Sequence, residues 1–262
     1  MNEVIRQLYE RKSVRSFTDQ PIDESIVQEI LTAAAMAPTA GNQQLYTILR
    51  IENDKLKKQL SESCDHQPFI ATGKLVLVFC ADCLKWYEAF SCAGCQPRLP
   101  GPGDLLLAVD DALIAAQNAV VAAQSYGIGS CYIGDIMEKC EVQRSLLGLP
   151  EYVFPAALLV FGYPTQQQKD RPKPKRADMR YIVHKDTYHR LDGKELKKML
   201  LKNCAEEDYD TWIRAFCSRK YNSAFSKEMQ RSAAMFLKQF GMAAIPAELS
   251  EKDGEESRSA DQ

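Results

Sequence analysis

Two runs constrain this chain more than any other feature: KLVLVFCAD at 74–82 and PAALLVFGYP at 155–164. Each is almost continuously apolar, which a half-solvated strand with alternating faces cannot be. Both read as strands buried on two sides, and such strands need helices above and below the sheet. YTILRIE (46–52) and IGSCYIG (128–134) supply two further strands.

The helices can be read from spacing. Val4, Ile5, Leu8 and Tyr9 recur at helical intervals, so a first helix ends just before Arg11. Pro21 marks a turn. Asp23 can N-cap a second helix, ESIVQEILTAAAMA, with Ile26, Ile30 and Leu31 facing inward, and Pro38 stops it. DKLKKQLSES and EVQRSLLGL read as short helices. The Ala-rich run from Asp104 to Tyr126 reads as a long core helix, because Asp110, Asp111, Gln117, Asn118 and Gln124 interrupt it too often for a membrane span. Residues 83–103, rich in Pro and Gly, read as irregular. Two or three amphipathic helices cover 193–240. The reading is one domain over 1–245, followed by a disordered acidic tail over 246–262.

Charge and cysteine usage narrow the function. The net charge of −2 gives no long-range field toward nucleic acid or an anionic membrane, so any anion site must be local. The N-terminus shows no apolar signal-peptide core. The nine cysteines, an odd number, therefore read as reduced thiols in a cytoplasm. Cys80, Cys83, Cys92 and Cys95 form two CxxC pairs, but the spacer between them is short for a zinc ribbon and Cys80 sits inside a buried strand. No metal site is assigned, and the role of the four thiols stays open. The histidines are His66, His184 and His189, and His184 in YIVH reads as structural. With no HExxH, GxSxG or P-loop, the usual parts for hydrolysis and phosphoryl transfer are missing.

Four segments carry candidate chemistry. RKSVRSF places Arg11, Lys12 and Arg15 around Ser13. Alone it reads first as a solvated helix end, and second as a site for a phosphate, whose oxygens suit guanidinium forks, an ammonium and a hydroxyl. PTAGNQQ (38–44) offers Gly41 and Asn42 for close approach and amide hydrogen bonds; it equally reads as an ordinary loop. YGIGSCYIG fails as a dinucleotide fingerprint. Tyr132 stands where the third glycine belongs, and the glycines follow a helix. Gly127 reads instead as a helix C-cap before an extended ligand-facing segment. In RPKPKRADMR, Pro172 and Pro174 hold the backbone extended, so Lys173 and Lys175 project together from a basic loop.

Taken in order, these segments resemble one family, the FMN-dependent nitroreductases, in the branch of oxygen-insensitive nitroreductases and NADPH–flavin oxidoreductases. The resemblance runs over about residues 3–240 and is carried by RKSVRSFTDQPI, VFCAD, DDALIAAQNAVVAAQSYGIGSCYIGDI, LLGLPEYVFPAALLVFGYP and KPKRADMRYIVHKDTY. It implies an α+β fold, with a mostly antiparallel sheet between helices in an intertwined homodimer. It implies FMN as cofactor, held at its phosphate and ribityl chain by Arg11, Lys12, Ser13 and Arg15, with Lys173 and Lys175 closing from a distant loop. Gln67 and the loop Thr39, Ala40, Gly41 and Asn42 would approach the flavin and ribityl chain. The backbone of Tyr132, Ile133, Gly134 and Asp135 would run beside the isoalloxazine. NADPH or NADH would reduce the flavin, and a nitroaromatic, quinone or flavin would reoxidise it in ping-pong order, with no catalytic side chain. Arg214, Arg219 and Lys220 are candidates for an NADPH 2′-phosphate. Lys12 and Lys175 stand where relatives often carry arginine, and Asp135 where a second glycine is frequent. Two alternatives stay open: a specialised FMN enzyme of the same fold, a reductive dehalogenase or flavin-degrading protein, and a non-catalytic flavin- or metal-binding redox sensor using the CxxC pairs.

Overall fold

In the computed structural model, which describes residues 1–241, the chain runs in this order. α1 (Glu3–Glu10) and α2 (Glu24–Ala35) lead to β1 (Tyr46–Arg50), then α3 (Asp54–Ser63), α4 (Pro68–Thr72) and β2 (Leu75–Asp82). α5 (Leu84–Cys92) and α6 (Pro102–Ser125) precede β3 (Gly129–Ile133), α7 (Cys140–Leu147), β4 (Val153–Gly162) and α8 (Gln166–Asp170). α9 (Gly193–Leu200), α10 (Tyr209–Lys220) and α11 (Ala224–Lys238) follow. The tail expected over 246–262 lies outside the described residues.

The four strands form one antiparallel sheet in the order β1-β2-β4-β3. The two apolar runs are its central strands, and every residue of both is buried. Period 2 then divides β2 between two cores. Leu75, Leu77, Phe79 and Ala81 pack with residues of α2 and α6, while Val76, Val78 and Cys80 pack with Leu60, Phe69 and Ile70 of α3 and α4. Pro155 is the third residue of β4, where a missing N–H would break the ladder. The register shifts beside it, with Phe79 opposite Ala157 and Cys80 opposite Pro155, so Ala156 is the extra residue of a bulge that the proline borders.

α6 is long and apolar enough to cross a membrane by length and composition, but nine of its residues are buried in this fold. Six of them are alanines (108, 112, 115, 116, 119 and 123), which let the helix lie close to the sheet. It ends as the glycine predicted. Gly127 has φ +70, its N–H donates to Gln124 O, and that of Ile128 donates to Ala123 O, which is a Schellman motif. Residues 84–92, expected to be irregular, form α5 instead, with Asp82 Oδ1 accepting from the N–H groups of Leu84 and Lys85 at its start. In α2 Ile30 is buried as expected, together with Val27 and Ala34, while the expected Ile26 and Leu31 are partly buried.

The described residues form two compact units, one of residues 1–171 with the chain from 228 onward, the other Pro172–Lys227. In the second unit Asp192 caps α9 by accepting from Lys194 N and Glu195 N, and Glu195 returns to Asp192 N, a reciprocal capping box. In α10, Trp212 and Phe216 stack with centroids 5.2 Å apart.

Candidate functional site

The basic segment is laid along the sheet edge as a short extra strand. Ser13 pairs with Ser130 in a parallel bridge, and Val14 N donates to Ser130 O at 2.9 Å. Two facing glycines make room for it. Gly129 and Gly162 are register partners in β3 and β4. A Cβ on Gly129 would stand 2.6 Å from a Val14 methyl carbon, and one on Gly162 2.7 Å from the Phe17 ring. No ordinary packing allows such distances, so these two positions fix how closely residues 13–17 approach.

That seating gathers positive charge. Burial pushes the Cys131 thiol above its ordinary range, against the opposing pull of Arg15, Arg11, a Ser13 hydrogen bond and Arg171. Three guanidiniums therefore act on one point of β3. Arg171, part of the RPKPKR run but not singled out from sequence, donates through Nη2 to Ser13 O, and its Nε is buried with no hydrogen-bond partner. Arg11 stands 6.0 Å over the Tyr132 ring. Burial raises the Tyr132 phenol to about 12, with Arg11 pulling it down. Lys12 is differently employed. Its ammonium donates to Lys169 O at 2.6 Å and to Arg171 O, tying the basic segment to the end of α8.

A second group of residues surrounds α6. Asp111 is buried, and its two oxygens accept from Ala40 N at 2.9 Å and Leu45 N at 3.1 Å. One carboxylate thus spans the loop Thr39–Asn42 at both ends. The loop is strained between those anchors, with Gly41, Asn42 and Gln44 all at φ between 53 and 57. Trp86 Nε1 donates to Gln43 O at 2.7 Å and Thr39 Oγ1 accepts from Gln44 N. Six residues further on, about 9 Å along the helix, Gln117 accepts from the Tyr132 hydroxyl at 3.3 Å.

A third group lies after β3. Gly134 and Asp135 begin a 3-10 turn that ends at Met137. Behind it Glu138 is buried with Oε1 unpartnered. Desolvation first, then Asp135, Asp65 and Glu228, raise its carboxyl to about 7, with Lys139 opposing. Cys64, raised to about 12 chiefly by burial, also feels Asp135 and Glu138. Gln67 closes the same corner. Its side chain donates to Cys64 O at 3.0 Å, just after Asp65 and His66 at left-handed φ.

The fold thus brings together Arg11, Ser13, Arg15 and Tyr132–Asp135, links Gln67 to them through Cys64, and holds Thr39–Asn42 from α6. Lys173 and Lys175, the first half-buried and the second exposed, belong to the other unit, as do Arg214, Arg219 and Lys220, all exposed on α10. Arg219 rests over the Phe216 ring at 5.5 Å.

The cysteine pairs separate. Cys83 precedes α5 and is buried, whereas Cys92 is the last residue of α5 and, with Cys95, is exposed. Nine residues of helix put about 13 Å between Cys83 and Cys92. Thiolates that far apart cannot share one zinc at about 2.3 Å each. Among the described residues no group of three metal-ligating side chains is assembled.

The chain is similar to known proteins in sequence and in fold. The nitroreductase family model matches residues 8–163. An FMN reductase [NAD(P)H] of Bacillus subtilis is 30% identical, over 97% of this chain and 98% of that protein. An NADPH-dependent oxidoreductase of Staphylococcus epidermidis is 26% identical over 90% of this chain and 92% of its own length. The structure of B. megaterium NfrA2 superposes with a TM-score of 0.78 at 30% identity, covering 91% of this chain and 98% of that one.

Proposed function

The chain belongs to the nitroreductase family, and on that premise we propose that it is an FMN-dependent NAD(P)H oxidoreductase acting on small aromatic acceptors. The observation that carries this reading is the basic cluster at β3: Arg171 donates to Ser13 O with its buried Nε unpartnered, and the charges of Arg11, Arg15 and Arg171 all act on Cys131. A phosphate monoester is an anion whose oxygens accept hydrogen bonds from such forks. Bound FMN supplies hydride chemistry, taking two electrons from a reduced nicotinamide and passing them to a nitroaromatic, quinone or flavin.

The protein's part is binding and orientation. Arg11, Arg15, Arg171 and Ser13 hold the phosphate. Lys12 holds the backbone around Arg171 in place. Asp111 presents the amides of the loop Thr39–Asn42 toward the ribityl chain, and Gln67 with the backbone of Tyr132, Ile133, Gly134 and Asp135 lines the ring. Lys173, Lys175, Arg214, Arg219 and Lys220 enter this reading through the family resemblance alone. A homodimer is supported by exposed apolar residues, Val4, Ile5 and Leu8 on α1 and Leu106, Leu113 and Ile114 on α6. The proposed setting is cytoplasmic, and the proposed organisation a single domain over 1–245.

The test separates phosphate from ring. A charge-assisted hydrogen bond contributes about 1.5–3 kcal/mol. Arg171→Ala should therefore weaken FMN binding about tenfold or more and leave the affinity for riboflavin, which lacks the phosphate, unchanged. Equal loss for both ligands, or no loss, contradicts the assignment.

A further inference from the structure

Helix α7 starts without a cap of its own. Lys139, in the N-cap position, supplies no side-chain acceptor, and its backbone is left-handed, with φ 46 and ψ 52. An L side chain adopts that conformation at a cost and keeps it only where its surroundings over-determine it. Here the surroundings come from α11, 89 to 92 residues further along the chain. Lys139 N donates to Glu228 Oε1 at 3.1 Å, and Cys140 N donates to Ser232 Oγ at 3.0 Å. Glu228, Arg231 and Ser232 stand at i, i+3 and i+4, so they share one face of the helix. The buried Ser232 hydroxyl donates onward to Glu228 Oε1 at 2.8 Å. Arg231, its side chain 14% exposed, closes the group. It donates to Glu228 at 2.9 and 2.8 Å and, through both Nη atoms, to Glu141 at 2.9 Å. Those Arg231 hydrogen bonds hold both carboxyls below their ordinary range, so both stay charged beside it.

We infer that this face of α11 is a clamp that positions the backbone lining the flavin ring, with Glu228, Arg231 and Ser232 acting through Lys139 and Cys140. The inference rests on the proposed function and adds positioning residues to it. Gly134 and Asp135 open the 3-10 turn that ends at Met137. Glu138 N donates back to Asp135 O at 3.0 Å, and Lys139 follows directly. The ring-lining residues and the clamped residues are therefore two ends of one short run, 134–140. If Lys139 loses its acceptor, its backbone relaxes out of the left-handed region and turns the peptides before it, which carries Gly134 and Asp135 away from their set positions. Attachment of the helix is a separate matter. Phe236 packs edge-on against Phe154 at 5.0 Å and Phe240 edge-on against Tyr152 at 5.5 Å, both almost fully buried. Apolar anchors thus hold α11 to the fold, and its polar face is left to hold 139–140.

The experiment titrates FMN and riboflavin into the purified full chain and follows amide hydrogen exchange over 134–140. Glu228→Ala should weaken both flavins by the same factor, about tenfold, shift the bound flavin absorbance band and speed exchange over 134–140. This differs from Arg171→Ala, which weakens FMN alone. Ser232→Ala, a small change at a buried site, should act in the same direction and serves where Glu228→Ala does not fold. Adding Lys139→Gly to Glu228→Ala should recover most of the lost affinity, because glycine is at ease in the left-handed region. Phe236→Leu should lower Tm and leave both affinities, the band and the exchange of 134–140 as in the parent. Unchanged riboflavin affinity in Ser232→Ala and Glu228→Ala overturns the inference. So does a loss in Phe236→Leu equal to theirs, since that traces the effect to stability alone. A parent protein that binds neither flavin overturns the proposed function instead, and in that protein the exchange of 134–140 still reads the clamp.

Discussion

Single side chains set the chemistry of this fold, and Asp111 and Glu138 show how. Asp111 accepts two backbone N–H groups from a loop with three left-handed residues. Asn in its place would turn an amide N–H₂ toward one of those donors. Asp111→Asn is predicted to cost about 2 kcal/mol in urea unfolding and to weaken FMN binding, and unchanged values for both would contradict its role. Glu138 titrates in the opposite sense to most carboxyls. Its native value of about 7 lies above the ordinary 4.5, chiefly because of burial. Between those two pH values the unfolded chain has released its proton while the native state retains it, so stability is fully present below pH 4.5 and falls as pH rises toward 7. The penalty is about 2–3 kcal/mol. Glu138→Gln should therefore unfold at a higher temperature than the parent at pH 8, with the difference vanishing near pH 4.5. Neither residue was legible as important. Asp111 looked like one of several polar interruptions in a helix and Glu138 was not singled out, because the groups that act on both come from distant segments. The same holds for Arg171. Sequence offered Lys12 to the phosphate; in the structure its ammonium donates to two carbonyls, and Arg171 of the RPKPKR run donates to Ser13 O.

At the scale of elements, local pattern was a good guide wherever one apolar face decided the matter. The two buried strands, the alanine helix and its Gly127 cap all follow from the residues alone. α5 did not, since Pro97, Pro100 and the glycines around it masked a nine-residue helix started by Asp82. Pairing order and the Pro155 bulge were also invisible, because registers are set between strands some eighty residues apart. Gly129 is the clearest case. In the sequence it is one glycine among several in YGIGSCYIG, and its function is the absence of a side chain beneath Val14. Gly129→Ala is predicted to displace residues 13–17 and to weaken FMN binding at least tenfold, more than it lowers thermal stability. Gly103→Ala, at a glycine with open space around it, should change neither. Equal behaviour of the two variants would contradict the packing argument.

For the whole molecule, the family was legible because its motifs lie in the basic segment beside β3, in β3 itself and in the buried strands, three places where packing and charge leave little choice of residue. A cavity beside α5 was not legible, because Trp86, Phe90 and the Arg98–Asp104 pair that line it come together only after folding. The claim on which everything else depends is that this chain binds FMN and takes electrons from a nicotinamide. The most direct measurement is an absorbance spectrum of the purified protein, followed by anaerobic NADPH in the same cuvette. A flavin band at about 450 nm, corresponding to about one FMN per chain and bleached by NADPH, is the predicted result. A colourless protein that takes up no added FMN would contradict it.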